Sequence, residues 1–408
     1  MLKLIIIWIL CIQYGKVKDE KYLNRMKEIF QMSAKTFYGF EDILCEELKK
    51  IDAIGVFKSN RIVHFKGDKE IMYKANLCLR TALKILVPIA KRKISNYESL
   101  YKFSFDFEWE KYFNKDSSFY INSVCFGKVF THSLFVSQRV KDGIVDRFRK
   151  LKGSRPIVDK SNPDVYLDVH IDNNYCTFSL NSSGRNLNQR GYRKKNTEAP
   201  LNEVLASGLI LLSNWNKKDD FLDPMCGGGT FLFEACMIAK NIPPNLNRKN
   251  FAFKKWNDWD QDLFINISKS LTKKIRDTNP KIIGFEKSIS TFKKLDFNIK
   301  NSNLSDFISV SNIDFFNSKK DSKENLHVVI NPPYGVRIGK ELDKIYSLIG
   351  DTLKQKYQNT NAWIISSNFE AIKRIGLKPS KKVKIYNGKL ESKFIKYEIY
   401  EGSKKNKI

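Results

Sequence analysis

This sequence lacks the paired cysteine and histidine spacings of a metal site and the framework of a disulfide scaffold. Its seven cysteines (Cys11, Cys45, Cys78, Cys125, Cys176, Cys226, Cys236) include no Cys-x-x-Cys pair. An odd, scattered set excludes a disulfide framework and fits a reducing cytoplasm, where we expect the protein to reside. His64, His132, His170 and His327 stand apart, with no His-x-x-x-His pair and no Cys/His cluster. Neither a structural zinc nor a zinc-activated water is expected, so we assign no metal. Long apolar runs are also missing. Only residues 2–12, LKLIIIWILCI, are strongly apolar, about half of the ~20 residues that span a bilayer. The run carries one charge, Lys3, and no small-x-small cleavage site follows, which makes a poor signal peptide. It is either a weak anchor or upstream of the true start at Met26 or Met32. Coherent domain patterning begins at Met32, which favours the second reading and no membrane partner.

Acidic residues are in the minority: 44 Asp and Glu stand against 72 Lys and Arg, a net charge of +28. With 42% hydrophobic and 13% aromatic residues, the chain is nonetheless too apolar to be disordered. A folded protein this basic is expected beside a polyanion, nucleic acid ahead of an anionic membrane. The charge locates no site, since Lys outnumbers Arg and Lys/Asn runs such as 404–407 recur throughout. At 408 residues the chain is long enough for two to three domains of about 150 residues each.

From 34 to 51 a short strand runs into an amphipathic helix, with Phe40, Ile43, Leu44, Leu48 and Ile51 at helical spacing. A strand at 61–65, a helix at 68–79 and strands at 82–90 and 118–125 follow. A basic helix at 134–151 and strands at 165–171 and 176–180 complete a small α+β region. The texture changes after 181–198. A helix is expected over 200–215, with Pro200 in its first turn. Strands at 221–223, 281–285, 308–314, 327–330 and 362–368 then alternate with helices at 230–240, 288–300 and 341–357. Such alternation predicts a parallel sheet with ligands at the C-terminal ends of its strands. Runs at 383–387 and 393–400 have no helix between them and should pair as an antiparallel edge hairpin. There is no internal repeat.

Two segments carry chemistry. In FLDPMCGGGTFLFEA, 221–235, an apolar strand ends in Asp223 and three glycines make a tight turn into a helix. Glycines there let the backbone approach a ligand and leave amide N–H groups facing it. The GK[ST] ending of a phosphate loop is missing, and Leu232 stands where Gly-x-Gly-x-x-Gly needs its last glycine. An acid before the loop would repel phosphate but suits an ammonium or sulfonium group. The second segment, Asn331-Pro332-Pro333-Tyr334, follows the apolar strand HVVI. Prolines fix the backbone and remove N–H donors, leaving acceptors. An Asn amide beside a carbonyl can accept the hydrogens of an exocyclic amine, and Tyr334 can stack on the base that carries it.

Together these segments resemble class I S-adenosylmethionine-dependent methyltransferases acting on exocyclic amines. GRNLNQRGYR at 184–193, APLNEVLASGLI at 199–210, DPMCGGGT at 223–230, NPPYG at 331–335 and YNGKLE at 386–391 narrow the match. With AKTFYGFEDILCEEL at 34–48 and PDVYLDVHI at 163–171, they resemble the bacterial THUMP-domain ribosomal RNA guanine-N2-methyltransferases that modify 23S RNA.

The resemblance implies an α/β fold: a Rossmann-like class I methyltransferase domain with a mainly parallel seven-stranded sheet and an antiparallel edge hairpin. An α+β ferredoxin-like and THUMP RNA-binding region precedes it. The implied division is an extension at 1–31, the RNA-binding region at 32–183 (THUMP about 75–182) and the methyltransferase domain at 184–408. The cofactor implied is S-adenosyl-L-methionine, its methionine part held by the loop from Asp223 through Gly227 to Gly229. Glu286 matches the acid on the ribose hydroxyls, Asp314 the acceptor of the adenine amine, and Phe315 lies beside that ring. Asn331, Pro332 and Tyr334 match the target-base pocket. The partner implied is 23S ribosomal RNA or a large-subunit assembly intermediate, with the oligomeric state left open.

Two positions depart from the family pattern. Gly228 stands where Ser is common, and Asn181 stands where Asp is usual, so Asn181 is given no role. RGYR at 190–193 is compatible with RNA contact or with packing and capping. The alternatives are an N6-adenine methyltransferase on RNA or DNA, and a non-catalytic THUMP RNA-binding or ribosome-assembly factor.

Overall fold

The computed structural model describes residues 29–195, 200–321, 325–333 and 340–401. The apolar run at 2–12, Met26 and Tyr334 lie outside the described residues. The first part of the chain forms β1 (Phe30–Lys35), α1 (Glu41–Lys49), β2 (Ile54–Ser59), β3 (Ile62–Gly67), α2 (Lys69–Cys78) and β4 (Lys84–Lys93). It continues with α3 (Tyr97–Asp106), β5 (Ser118–Phe126), α4 (Ser133–Lys152), β6 (Ile157–Val158), β7 (Val165–Asp172) and β8 (Tyr175–Asn181). Met32 lies within β1. The strands make one eight-stranded sheet in the order β2-β3-β1-β4-β8-β7-β5-β6.

Alternation along β1 and β3 turns Met32, Ala34, Val63 and Phe65 onto Leu44 and Leu48 of α1 and Ile71 of α2. A second cluster joins Phe119, Val169 and Phe178 to Leu100 and Phe103 of α3 and Val140 and Ile144 of α4. Neither β2, whose residues are largely exposed, nor α3 is expected from the sequence. The start of α3 is set by reciprocal capping between Asn96 and Ser99. The positive residues of α4 are largely engaged with acids. Arg139 pairs with Glu98 at 2.9 Å, Arg147 with Glu110 at 2.5 Å and Arg149 with Asp146 at 3.2 Å.

The second part forms α5 (Glu203–Leu212), β9 (Asp220–Asp223), α6 (Thr230–Ala239), α7 (Gln261–Thr272), β10 (Ile282–Phe285), α8 (Ile289–Lys300) and β11 (Ile308–Ser311). β12 (Leu326–Ile330), α9 (Lys340–Lys356), β13 (Thr360–Ser366), β14 (Lys381–Asn387) and β15 (Leu390–Ile399) complete it. The sheet order is β11-β10-β9-β12-β13-β15-β14, parallel except for β15, which runs antiparallel to both neighbours. This is the mainly parallel seven-stranded sheet with an antiparallel edge hairpin that the resemblance implies. The chain leaves β9 on one side for β10 and β11, then returns on the other to β12. A crevice opens where the order reverses, at the C-terminal ends of β9 and β12.

Several strand ends shift by two or three residues from expectation, as in Lys84–Lys93, Thr360–Ser366 and Leu390–Ile399, and two boundaries have a local cause. α5 starts at Glu203, because Asn202 Oδ1 accepts the N–H groups of Val204 (3.0 Å) and Leu205 (3.2 Å), leaving Pro200 outside the helix. β11 stops at Ser311, and Asp314 then accepts the Phe316 N–H at 3.1 Å to start a 3₁₀ turn.

The two sheets exchange core residues. Phe37 and Phe40, from the β1–α1 loop, pack into the core between α5, α6 and the second sheet. A Cβ added to Gly208 of α5 would overlap the Phe40 ring. In return Phe251, Phe253, Phe264 and Ile267, from the α6–β10 insertion, pack around Tyr73 of α2. Polar bonds close the seam. Arg80 Nη2 donates to the carbonyls of Met237 (3.1 Å) and Ile242 (2.6 Å), and Arg190 Nη2 donates to Arg80 O at 2.7 Å.

Candidate active site

The C-terminal ends of four adjacent parallel strands each deliver a polar side chain to one cleft of about 590 Å³. Asp223 ends β9, Glu286 follows β10, Asp314 follows β11 and Asn331 follows β12. Glycines shape the turn after β9. Gly227 has φ +51°, and no atom lies within 4 Å of where its Cβ would be, so the backbone presents an open concavity. Gly229 has φ +74°, and an added Cβ would sit 2.5 Å from Leu295 Cδ1, so this residue lies behind the wall and lets α8 approach.

Glu286 ties the strands together. Its Oε2 accepts the Gly227 N–H at 3.0 Å and its Oε1 accepts the Ser288 N–H at 2.7 Å. Asp223 is 2% exposed and its Oδ1 accepts the Met225 N–H at 3.2 Å. Burial pushes its carboxyl up to about 8, and the Glu286 charge adds to the rise, against the Met225 bond. Burial also raises the Cys226 thiol well above its ordinary range, which makes it a poor nucleophile. The Asn331 Oδ1 is buried and has no hydrogen-bond partner among the described residues. An unpaired buried acceptor costs stability, so it is a mark of a site shaped for a donor. Phe315, 1% exposed, lines the cleft beside Asp314, with Ile313 and Pro224 adding apolar wall.

Of the residues singled out in the sequence, Asp223, Gly227, Glu286, Asp314, Phe315, Asn331 and Pro332 meet at this cleft. Gly229 supports it from behind, and Tyr334 lies outside the described residues. Sequence reasoning missed Lys287, Ser288, Thr291 and Lys294, which line the mouth from the start of α8. Their signal was position: the first turn of the helix that follows Glu286. Among the described residues, no group of three or more His, Cys, Asp and Glu could hold a metal ion. Among the same residues, no helix is long and apolar enough to cross a membrane.

RGYR faces inward. Arg190 is 2% exposed, lies 3.5 Å from Glu234 Oε1 and donates to Leu187 O at 2.7 Å. Tyr192 stacks on Phe233 at 4.5 Å and donates to Glu234 Oε1 at 3.2 Å. Arg193 pairs with Glu203 at 2.5 Å and also bonds Thr230. The motif therefore serves packing rather than RNA contact. Asn181 is likewise structural: its Nδ2 donates to Asp168 Oδ2 (3.2 Å) and Gly184 O (2.9 Å), and its Oδ1 accepts from Ser183 N (3.1 Å).

Comparison with known proteins agrees with this architecture. Residues 31–86 match the ferredoxin-like domain of RlmL type, 95–181 the THUMP domain and 190–396 the RMKL-like methyltransferase domain. A Synechocystis protein named as a candidate RNA methyltransferase is 35% identical, over 89% of this chain and 95% of its own length. The ribosomal RNA large subunit methyltransferase K/L of Shewanella frigidimarina is 32% identical over 93% of this chain and 54% of its own. The chain thus spans about half the length of the K/L relatives. A crystal structure of a candidate methyltransferase complexed with SAH, the demethylated product of the cofactor, superposes with a TM-score of 0.80. It is 26% identical and covers 92% of this chain and 100% of its own.

Proposed function

Because this chain belongs to the RMKL-like methyltransferase family, we propose that it methylates the exocyclic N2 amine of a guanine in large-subunit ribosomal RNA, using S-adenosylmethionine. The residues of the cleft fit that cofactor. Carboxylates at Asp223 and Glu286 suit a cation and hydroxyl groups, Asp314 beside Phe315 suits an adenine, and the open Gly227 turn accommodates close approach. Bound S-adenosylmethionine supplies a methyl group activated by its sulfonium.

The observation that carries the reading is the unpaired, buried Asn331 Oδ1 at the end of the central strand β12, facing the cleft that Asp223 and Glu286 line. That oxygen accepts one amine hydrogen and holds the nitrogen in place. Pro332, lacking an N–H, leaves only acceptors next to it. Fixing the amine in line with the methyl group converts an encounter into a positioned reaction, and no covalent intermediate on the chain is required. The target base must leave its stack to reach the cleft. The sheet that carries the THUMP and ferredoxin-like regions would hold the surrounding RNA by backbone contacts.

The experiment is incubation of the protein and cofactor with unmodified ribosomal RNA, followed by nucleoside mass spectrometry. N2-methylguanosine is expected. N6-methyladenosine alone would replace guanine by adenine, and no methylated nucleoside would favour a binding factor.

A further inference from the structure

YNGKLE at 386–391 forms the tip of the β14–β15 hairpin and lies outside the cleft. β15 runs antiparallel to both β13 and β14, so β14 runs the same way as β12 and β13. Its C-terminal end, with Tyr386, therefore leaves the sheet on the edge that carries Asn331. Registers place the two residues. Ile330 aligns with Ile364, Ile364 with Ile395, and Ile395 with Lys382. Three strand spacings and a short run along the strand put Tyr386 roughly 15–20 Å from Asn331.

The first sheet meets the hairpin here. Tyr38, from the β1–α1 loop, packs edge-on against Tyr386, centroids 5.5 Å apart at 89°. Arg61, in the β2–β3 turn, places its guanidinium 5.1 Å over the Tyr386 ring. Both loops are fixed by one carboxylate: Glu41 accepts the Gly39 N–H at 2.7 Å and the Arg61 N–H at 3.0 Å. The Tyr386 hydroxyl donates to Glu391 Oε2 at 3.4 Å, an oxygen that also receives Lys384 Nζ at 2.8 Å. Glu391 is thus already engaged, and Arg61 has no ion-pair partner among the described residues. Tyr38 is 40% exposed. Packing of two domains would be served by apolar contact alone. An exposed Tyr38 ring, held edge-on against the half-buried Tyr386, beside an exposed Arg61 with no ion-pair partner among the described residues, is instead a surface that stacks a base and meets its phosphate. Between this patch and the cleft, Lys393 lies 4.2 Å over the Phe369 ring, a further cation on an aromatic along the same edge.

We propose that Tyr38, Tyr386 and Arg61 bind an unpaired base of the RNA a few nucleotides from the one that enters the cleft. The proposal rests on the RNA-methyltransferase reading. Such a site would fix the strand on both sides of the first sheet's contact with the hairpin and set which neighbouring sequence reaches Asn331.

The test uses the full chain and two exposed-site variants, Tyr38→Ala and Arg61→Gly. Arg61 has φ +59°, a backbone that glycine adopts freely, so the second variant removes the cation without strain. Each should weaken binding of a short fluorescein-labelled single-stranded RNA by about 5- to 100-fold, the cost of losing one stacked base. With ribosomal RNA as substrate, the loss should fall on KM rather than kcat, while SAH affinity and melting temperature stay at wild-type values. In a parallel measurement, 2-aminopurine placed at successive positions beside the target base should be quenched at one position by wild type and not by Tyr38→Ala. Wild-type RNA affinity and KM in both variants, or quenching that survives Tyr38→Ala, would overturn the proposal. If wild type methylated no RNA, the reading of the cleft would fail instead, and the binding and fluorescence measurements would still decide the patch.

Discussion

Glu286, beyond the end of β10, accepts the backbone N–H of Gly227, beyond the end of β9, at 3.0 Å. One side chain thereby sets the shape of the turn on the neighbouring strand, and its other oxygen holds Ser288 at the start of α8 at 2.7 Å. Glu286→Ala releases both N–H groups. Bonds to a charged group are worth about 1.5–3 kcal/mol, so SAH affinity should fall by roughly 10- to 100-fold. Isothermal titration calorimetry reads this, and an unchanged dissociation constant would refute the role.

Asp223 should make the ligand-free protein lose stability as pH rises from about 3.8 to about 8. The native carboxyl, pushed up to about 8 mainly by burial, keeps a proton that the unfolded chain, near 3.8, has lost. Its contribution to stability is complete below about pH 3.8 and is lost as pH rises through about 8. Asp223→Asn removes the dependence, so its melting temperature should rise above wild type progressively between those values and stay parallel above them. A constant gap across the range would count against the shift. A cation in the cleft favours the ionised carboxylate, so S-adenosylmethionine binding at pH 7 should release protons and SAH binding fewer. Calorimetry in buffers of different ionisation enthalpy measures both.

Asn331→Ala removes the buried acceptor Oδ1 and leaves the cofactor wall intact. Methyl transfer should drop by about 10²- to 10³-fold while SAH affinity is unchanged. Radiolabelled methyl transfer at saturating RNA is the measurement, and wild-type turnover would remove Asn331 from the base pocket.

Gly208→Ala should reverse the usual sign. In a helix interior this change normally adds about 0.5–1 kcal/mol of stability. Here the new Cβ overlaps the Phe40 ring, and overpacking should instead cost about 1–3 kcal/mol. Thermal unfolding gives the sign directly.

Arg190→Met leaves Glu234, fully buried, without its cation. Breaking a buried pair from one side costs about 3–5 kcal/mol, so a fall of that size in chemical denaturation is expected. A variant that stays folded and loses only RNA affinity would restore the surface reading of RGYR.

Much of the site was legible because it is local. FLDPMCGGGT spells strand, acid and turn in one stretch, and HVVINPP spells buried strand and stop. The structure brings both to the same edge, as parallel strands on either side of the order reversal require. What was not legible depends on distant partners. Two arginines around a tyrosine look the same whether they face RNA or Glu234, and α6 decides it. Pro200 suits a first turn, but Asn202 supplies the stronger cap. The insertion carrying α7 is half polar, and its apolar side has meaning only against Tyr73 of α2.

The exchange of Phe40 for Phe253 across the seam has a consequence for how this protein stands up to stress. One core of each half is completed by its partner's aromatic rings. Severing the chain between the sheets would leave two pieces with raw apolar wounds, prone to cling to one another or to anything else. The α1–α2 core around Tyr73 and the α5–α6 core around Phe40 should therefore unfold together.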